Sequence, residues 1–278
     1  MAGRFPVLVV SLVRSGRRER IAEVMSRHGV DFSFIDAIDA RQFEDDELDH
    51  LYDDMAARSR YGRTLTRGEV ACFLSHRRLW QLIVNGGKSV IVLEDDALLE
   101  PEFFSKVLTW PEGALARMAD VVLLGRSKLS RASEARAYLH EPLKRAEWID
   151  GMRVGTPFKQ WTSGAVGYWM SPRGAKLALA HTEGPVRALL DDWPWHRDEG
   201  GMIIKELRPY VVWEGFESLA SDLEGERSRL APVRSRWRDC LFEPVRAGRL
   251  VARWTVAAVI RIAELAGGGG KRQDVPND

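Results

Sequence analysis

The sequence of 278 residues predicts an α/β fold built on a central, mostly parallel sheet. The chain opens with a strand–helix–strand pattern, and further continuous apolar runs are typical of strands buried on both faces. Helices with clear start and stop signals lie between these runs. We expect one domain over residues 1–243, an amphipathic helix over 244–266 and a flexible tail over 267–278.

The opening pattern consists of two strands and one helix. Residues 6–12, "PVLVVSL", form a continuous β-rich apolar run. The helix that follows carries Ile21, Val24 and Met25 on one face, and residues 31–39 alternate apolar with polar side chains. Because a helix joins the two strands, this opening predicts a parallel pair.

A second helix covers the sequence "LTRGEVACFLSHRRLWQLIVNGG". Thr66 is its predicted cap, and Gly86 and Gly87 mark its end. Its apolar stripe also carries Glu69 and His76, which are seven residues and therefore roughly 10 Å apart. A buried, hydrogen-bonded histidine and a functional one are both compatible with this position.

The remaining elements follow from apolar runs and their boundaries. We predict strands at "VIVLE", "ADVVLLG" and "LRPYVVWEG", a loop with short strands over residues 126–155, and a strand over 165–170 followed by a helix starting at Pro172.

Three consecutive acids end the strand "VIVLEDDALL". Carboxylates at the carboxyl end of a strand point into the crevice where open α/β sheets bind ligands, and they suit Mg²⁺ or Mn²⁺ carrying phosphate oxygens. Glu94 and Asp96 share a side of an extended chain, whereas Asp95 faces the other way. The alternative is a solvated turn that starts the next helix with acids near its N-terminus.

Arginines follow the first strand in "SLVRSGRRER". A planar guanidinium suits diphosphate, so this junction fits a nucleotide pocket, although a basic helix surface is an equal alternative. Neither G-x-G-x-x-G nor G-x-x-x-x-G-K occurs, so a dinucleotide fingerprint and a P-loop are not supported. The residues concerned are Ser11, Arg14, Arg17, Arg18 and Arg20.

The segment "DDWPW" contains two further acids. Asp191 or Asp192 is a candidate general base, with Trp193 and Trp195 as a wall on which a sugar stacks. The equal alternative is a structural turn in which an aspartate caps a helix.

Charge and apolar patterning bear on partners. The net charge is +1, which argues against a nucleic-acid partner, but residues 226–278 hold 11 of the 41 Lys and Arg and 6 of the 40 Asp and Glu. The helix over 244–266 is amphipathic, so we predict contact with a membrane surface; docking on the domain's own core is the alternative.

Composition also indicates a compartment. Cys72 and Cys240 are predicted to be thiols, with no Cys or His at metal-ligand spacing. The N-terminus does not resemble a signal peptide, and no stretch of 18 uncharged apolar residues occurs. We therefore expect a cytoplasmic protein, peripheral on the inner face of a bacterial inner membrane if the terminal helix binds lipid.

Five segments in order resemble glycosyltransferase family 25: "VVSLVRSGRRER", "LTRGEVACFLSHRRLW", "VIVLEDDALL", "DVVLLG" and "TSGAVGYWMSPRGAKLAL". The resemblance implies a GT-A fold and inverting transfer from UDP-galactose or a similar UDP-sugar. The acidic triplet stands where that fold binds its metal, Mn²⁺ or Mg²⁺, which we assign to Glu94 and Asp96.

The resemblance also implies a donor pocket and a base. Ser11, Leu12 and Arg14 would border the uridine, Asp36 or Asp39 would reach the ribose, and Asp191 or Asp192 would deprotonate the acceptor hydroxyl. The predicted nucleotide-sugar pocket comprises Ser11, Leu12, Arg14, Arg17, Asp36, Glu69, His76 and Asp95.

The predicted function is transfer of a hexose to a lipooligosaccharide or another saccharide or glycolipid acceptor. Two alternatives stay open: a nucleotidyltransferase or phosphohydrolase that uses the same acids, and a non-catalytic saccharide-binding protein. The nature of the released product separates the first alternative from sugar transfer.

Overall fold

The computed structural model describes residues 5–127, 129–158, 164–215 and 254–263. The strands in these ranges are β1 (Val7–Ser11), β2 (Phe32–Asp36), β3 (Val90–Glu94), β4 (Ala97–Leu99), β5 (Val121–Leu123), β6 (Gly125–Arg126), β7 (Leu143–Ile149), β8 (Met152–Pro157), β9 (Gly167–Met170), β10 (Ile204–Arg208) and β11 (Val212–Glu214).

Helices connect most of these strands. They are α1 (Arg17–Arg27), α2 (Asp45–Leu51), α3 (Asp54–Tyr61), α4 (Arg67–Gly86), α5 (Pro101–Ser105), α6 (Glu112–Ala116), α7 (Glu134–His140), α8 (Pro172–His181), α9 (Trp193–Asp198) and α10 (residues 254–263).

The central sheet has the strand order β2-β1-β3-β9-β5-β10-β8-β7. β2, β1 and β3 are parallel neighbours, and β5 is parallel to β10. β9 and β8 run against their neighbours, so six of these eight strands point the same way. The α/β class is confirmed, and β1–α1–β2 is the predicted parallel unit.

The sheet lies between two layers of helices. Ile91 and Leu93 of β3 belong to a core cluster that includes side chains of α1 and α5, whereas Val90 and Val92 pack in a second cluster with α4 and α8. Side chains alternate between the two faces of a strand, so a continuous apolar run is what a strand covered on both faces requires.

Helix α4 has the boundaries that its sequence predicts. The Thr66 hydroxyl accepts a hydrogen bond from Glu69 N–H, and the Glu69 carboxylate accepts one from Thr66 N–H, which completes a capping box. Gly87 ends the helix with a φ of 63°, a conformation that glycine adopts without a Cβ clash.

The predicted last strand, "LRPYVVWEG", is instead two strands in two sheets. β10 ends at Arg208, because Pro209 has no N–H to donate to a neighbouring strand. β11 joins a small sheet of order β4-β11-β6, in which Glu214 lies opposite Ala97. This pairing brings the end of β11 to the acidic triplet, where Gly215 N–H donates to the Asp96 carbonyl at 3.0 Å.

Residues 126–155 are more regular than predicted. They contain helix α7 and most of the β7–β8 hairpin, whose two-residue turn at Asp150 and Gly151 has φ angles of 49° and 75°. Asp-Gly is a strong hairpin signal in sequence, since both residues tolerate positive φ. The prediction of a loop with short strands overlooked this dipeptide.

Helix α10 falls inside the predicted amphipathic segment. The ring of Trp254 lies edge-on to the ring of His140 in α7, with 4.4 Å between the ring centroids. Ala257 is buried, whereas Val259 and Ile262 are 60% and 66% exposed. The predicted boundaries 243/244 and 266/267 lie outside the described residues. No helix in the described part of the chain is long and apolar enough to cross a membrane.

Candidate active site

One cavity of 2510 Å³ opens at the carboxyl ends of β1 and β3. These strands are parallel neighbours with Val10 opposite Glu94, so the residues that follow them meet at one edge of the sheet. All twelve predicted site residues line this cavity: Ser11, Leu12, Arg14, Arg17, Asp36, Glu69, His76, Glu94, Asp95, Asp96, Asp191 and Asp192.

Asp95 belongs to the arginine side of the cavity. Its carboxylate accepts a hydrogen bond from the Ser11 hydroxyl at 2.6 Å and lies 3.6 Å from the Arg17 guanidinium. Arg20 donates to the Asp95 carbonyl at 3.3 Å. Asp95 therefore ties the triplet to the β1–α1 junction. Because β3 ends at Glu94 and the chain turns at Asp95 and Asp96, this separation does not come from alternation along an extended strand.

Glu94 and Asp96 lie among other carboxylates, and the nearby positive charge does not offset the repulsion between them. Burial, followed by repulsion from Glu214, raises the pKa of Asp96 to about 6, although Arg17 opposes the shift. Burial and the charges of Asp96, Glu214 and Asp191 raise the pKa of Glu94 well above its usual range. Like charges gathered in a partly desolvated place disfavour ionisation. We call Glu94, Asp96, Asp191 and Glu214 the acidic cluster.

A hard divalent cation fits this cluster. Asp96 Oδ1 is buried and accepts no hydrogen bond from the residues that the structure describes, so its lone pairs are available to a cation. Carboxylate oxygens are the donors that Mg²⁺ and Mn²⁺ prefer. Glu94 and Asp96, with Glu214 beside them, are thus suited to hold the predicted metal.

The β1–α1 junction is held by arginine contacts. Arg18 donates to the Ser11 carbonyl at 2.8 Å and to the exposed Asp36 carboxylate at 2.5 Å. Asp39 accepts from the Arg41 backbone and side chain, which lower the pKa of Asp39 to about 2. The two predicted ribose contacts thus differ in position. Asp36 ends the parallel strand β2, whereas Asp39 caps the short helical turn that follows.

Glu69 and His76 occupy the α4 side of the cavity and have separate partners. Glu69 is buried, caps α4 and forms a two-pronged ion pair with Arg63 at 2.8 and 2.9 Å. His76 is fully buried, and its Nδ1 lies 2.8 Å from the Tyr168 hydroxyl. Burial lowers the pKa of His76 to about 3, so its imidazole is neutral.

Asp191 and Asp192 have different surroundings. Asp192 Oδ1 caps α9 by accepting from Trp195 N–H, and its Oδ2 accepts from Arg60 at 2.5 Å and Tyr61 at 2.8 Å. Burial alone would raise the pKa of Asp192, but these hydrogen bonds outweigh it and lower the pKa. A carboxylate so engaged is a weak base, which makes Asp192 a structural cap.

Asp191 instead belongs to the acidic cluster, where its charge raises the pKa of Glu94. Its Oδ2 accepts from Gly164 N–H at 2.8 Å. Gly164 has a φ of 97°, and a Cβ there would lie 1.8 Å from the Ser127 hydroxyl oxygen, so only glycine fits. The backbone thus presents Asp191 to the cavity.

The predicted tryptophan stacking wall is wrong. Trp193 and Trp195 are 2% and 4% exposed and pack in the core under α4, where aromatic area is better buried than left to water. The indole N–H of Trp193 donates to the Gly164 carbonyl at 3.0 Å. The two tryptophans hold the loop that carries Asp191.

Sequence reasoning missed Glu214, Arg60 and Gly164. Glu214 ends an apolar strand with an acid, the same signal that singled out Glu94, but its approach to Asp96 depends on β11 pairing with β4. No local pattern indicates the Arg60–Asp192 pair, because 131 residues separate the two. The expectation that no His lies at metal-ligand spacing from Cys72 is also wrong, since Cys72, His76 and Glu94 converge.

Comparison with known proteins was informative at the level of the family. The family described as glycosyltransferase family 25 (LPS biosynthesis protein) matches residues 5–191. A "Glycosyltransferase 25 family member" of Aedes aegypti is 30% identical over 185 residues, which is 64% of this chain and 28% of that protein.

Two other relatives have more specific names. "Procollagen galactosyltransferase 1" of Danio rerio is 28% identical over 180 residues, 62% of this chain and 28% of that protein. The "Probable inactive glycosyltransferase 25 family member 3" of Rattus norvegicus is 32% identical over 181 residues, 63% of this chain and 29% of that protein. The match thus spans less than a third of each of these relatives.

Proposed function

Because the chain belongs to glycosyltransferase family 25, we propose that it is a metal-dependent, inverting enzyme that transfers galactose or a similar hexose from a UDP-sugar to a saccharide acceptor. The observation that carries this proposal is the acidic cluster beside an arginine-lined strand–helix junction. A nucleoside diphosphate with its cation supplies phosphate for the arginines and positive charge for the carboxylates.

The donor lies along the β1–α1 junction. Ser11, Leu12 and Arg14 border the uridine, Asp36 accepts from a ribose hydroxyl, and Arg17 binds the diphosphate through its planar fork. Asp95 and Glu69 act through neighbours: Asp95 holds Ser11 and Arg17, and Glu69 holds Arg63. His76 stays neutral and faces Glu94 at 3.8 Å.

Glu94 and Asp96 hold Mn²⁺ or Mg²⁺, with Glu214 as a further carboxylate next to them. When bound, the cation supplies Lewis-acid stabilisation of the departing UDP. The carboxylates must be ionised to do this, so their raised pKa values oppose cation binding at low pH.

Asp191 is the general base. Gly164 N–H orients its carboxylate, which takes the proton of the acceptor hydroxyl as that oxygen attacks the anomeric carbon. Attack from the face opposite UDP inverts the anomeric centre and needs no covalent intermediate. Asp192 keeps the loop in place through Arg60 and Tyr61.

The acceptor we favour is a glycolipid at the cytoplasmic face of a bacterial inner membrane. The exposed apolar side chains of α10 support contact with a membrane surface. Sedimentation with anionic vesicles tests this: Ile262→Glu should weaken binding, whereas Leu82→Glu, an exposed control on α4, should not. Equal binding of both variants and the wild type would leave α10 as a helix docked on the protein.

Donor hydrolysis tests the proposed activity. UDP-galactose, UDP-glucose and UDP-N-acetylglucosamine are offered with Mn²⁺, and release of UDP is measured. Asp96→Ala should abolish release without changing the circular dichroism spectrum, while Asp198→Ala, an exposed acid outside the cavity, should match the wild type. Full activity of Asp96→Ala with unchanged Mn²⁺ dependence refutes the metal assignment.

A non-catalytic saccharide-binding protein is the second candidate, since the name of the rat relative includes "inactive". Binding of UDP-sugar or saccharide with no turnover of any donor, and no effect of metal, would favour it. Release of pyrophosphate or phosphate instead of UDP would identify a nucleotidyltransferase or phosphohydrolase.

A further inference from the structure

Three side chains with different ligand atoms meet where α4 passes the end of β3. We propose that Cys72, His76 and Glu94 bind a thiophilic divalent cation of the zinc class, at a site next to the acidic cluster. Cys72 Sγ, one imidazole nitrogen of His76 and one carboxylate oxygen of Glu94 all lie within 4.8 Å of one another. The proposal does not depend on the proposed glycosyltransferase activity.

The spacing of the two helical ligands is set by local geometry. Cys72 and His76 are four residues apart on α4, so they project from one face on successive turns. Glu94 is the last residue of β3 and points at that face, with its Oε1 3.8 Å from His76 Nε2. Two residues of α4 and the last residue of β3 thus supply three ligand atoms.

His76 is prepared for ligation on both sides of its ring. It is completely buried, and within the described ranges its Nε2 has no hydrogen-bond partner, since 3.8 Å to Glu94 Oε1 is too long for a hydrogen bond. Its other nitrogen, Nδ1, lies 2.8 Å from the Tyr168 hydroxyl, which also accepts from the Trp80 indole N–H. For Nε2 to bind a cation, Nδ1–H must donate to the Tyr168 oxygen, which has a second lone pair for the bond from Trp80. A hydrogen bond donated by the second ring nitrogen is what orients a histidine ligand.

The donor set selects the class of cation. Zinc bonds are about 2.3 Å to sulfur and about 2.0–2.2 Å to nitrogen and oxygen, so tetrahedral ligand atoms lie roughly 3.5 Å apart. Binding at these distances requires Cys72 and Glu94 to move by about 1 Å from their positions here. A thiolate favours Zn²⁺, Cd²⁺ or Co²⁺ over Mg²⁺, and three protein ligands leave a fourth position open to the cavity that Cys72 and Glu94 line.

Binding has two consequences. The Cys72 thiol releases its proton on coordination, since thiolate is the ligand. Glu94 also belongs to the acidic cluster, so a cation held by Cys72 and His76 competes for this carboxylate with a cation held by Asp96. Zinc is therefore expected to inhibit any reaction that requires the acidic cluster.

Cobalt titration of the full-length protein, in the presence of excess Mg²⁺, tests the site. Wild type should bind one Co²⁺ with a thiolate-to-cobalt charge-transfer band in the near ultraviolet. Cys240→Ser, the matched control at the second cysteine, should keep the band. Cys72→Ser should lose it and bind Co²⁺ at least about 100-fold more weakly, the upper end of the cost of losing even a supporting residue.

A second measurement avoids mutation altogether. Zn²⁺ should slow iodoacetamide alkylation of Cys72, followed by mass spectrometry, relative to Cys240 in the same molecules. A band that persists in Cys72→Ser, or alkylation of Cys72 unaffected by Zn²⁺, overturns the proposal. Both readouts are independent of sugar transfer, so an inactive protein that shows them refutes the proposed function and leaves the zinc-class site standing.

Discussion

Two groups of acids in this protein have opposite surroundings, one half-buried at the cavity and one buried in the sheet. In the acidic cluster, burial and repulsion from Glu214 raise the pKa of Asp96, although the Arg17 charge opposes this shift. At the β10 end of the sheet, the buried Glu206 accepts hydrogen bonds from Arg208 at 2.7 Å and Tyr210 at 2.5 Å, and Arg126 lies 3.6 Å away.

The difference distinguishes structural acids from functional ones. Glu206 is stabilised by arginines although its Oε2 accepts no hydrogen bond from the described residues, whereas carboxylates that face one another are stabilised by a proton or by a cation from outside. Asp191 and Asp192 differ in their partners: Asp192 accepts from Arg60 and Tyr61, and Asp191 accepts from Gly164 N–H and adds its charge to that of Glu94. Substitutions in the two groups are therefore expected to have different effects.

The largest effect is expected for the two aspartates. Asp191→Asn should lower kcat by about 10²–10⁴-fold while UDP-sugar still binds, because a positioned base is lost. Asp192→Asn should keep kcat within a few-fold and instead lose about 1 kcal/mol of stability, typical of a weakened cap. Steady-state kinetics and thermal melts measure both. Wild-type kcat in Asp191→Asn places the base elsewhere.

The next effect is on stability. Arg208→Met leaves Glu206 buried without its nearest cation and should cost about 3–5 kcal/mol. Glu94→Gln removes one of several like charges and should leave the metal-free protein as stable as wild type or more so. Urea unfolding in the presence of EDTA compares them. Equal destabilisation by both substitutions would show that the two groups of acids are alike.

The smallest effect is on the pH dependence of stability. Because the pKa of Asp96 is about 6 in the folded protein and 3.8 ordinarily, the folded state binds this proton more tightly. Its contribution to stability is therefore present below pH 3.8 and is lost as pH rises to about 6. Buried His76 and His196, whose pKa values are lowered to about 3, add stability as pH rises over the same range. The contribution of Asp96 is therefore measured as the difference between the metal-free thermal melts of wild type and Asp96→Asn at each pH. An unchanged pH profile would contradict the raised pKa.

Local features of the chain were predictable from the sequence, whereas features that depend on distant segments were not. The helix start at Thr66 and the parallel opening of the sheet are local features, and both were predicted correctly. The reciprocal bond of Glu69 in the capping box of α4 was not predicted. The division of "LRPYVVWEG" and the burial of Trp193 depend on distant segments, and both were predicted wrongly.

The α/β class and the acids that line the cavity were predictable from the sequence, because periodicity, caps and strand-end acids are properties of neighbouring residues. The family was predictable from five short segments of sequence. Only the tertiary structure decided which acids remain short of positive charge. Arg60 and Arg208 reach their carboxylates through folding, and Glu214 reaches Asp96 through strand pairing. A carboxylate's charge partners are set by distances in space, which one-dimensional spacing does not record.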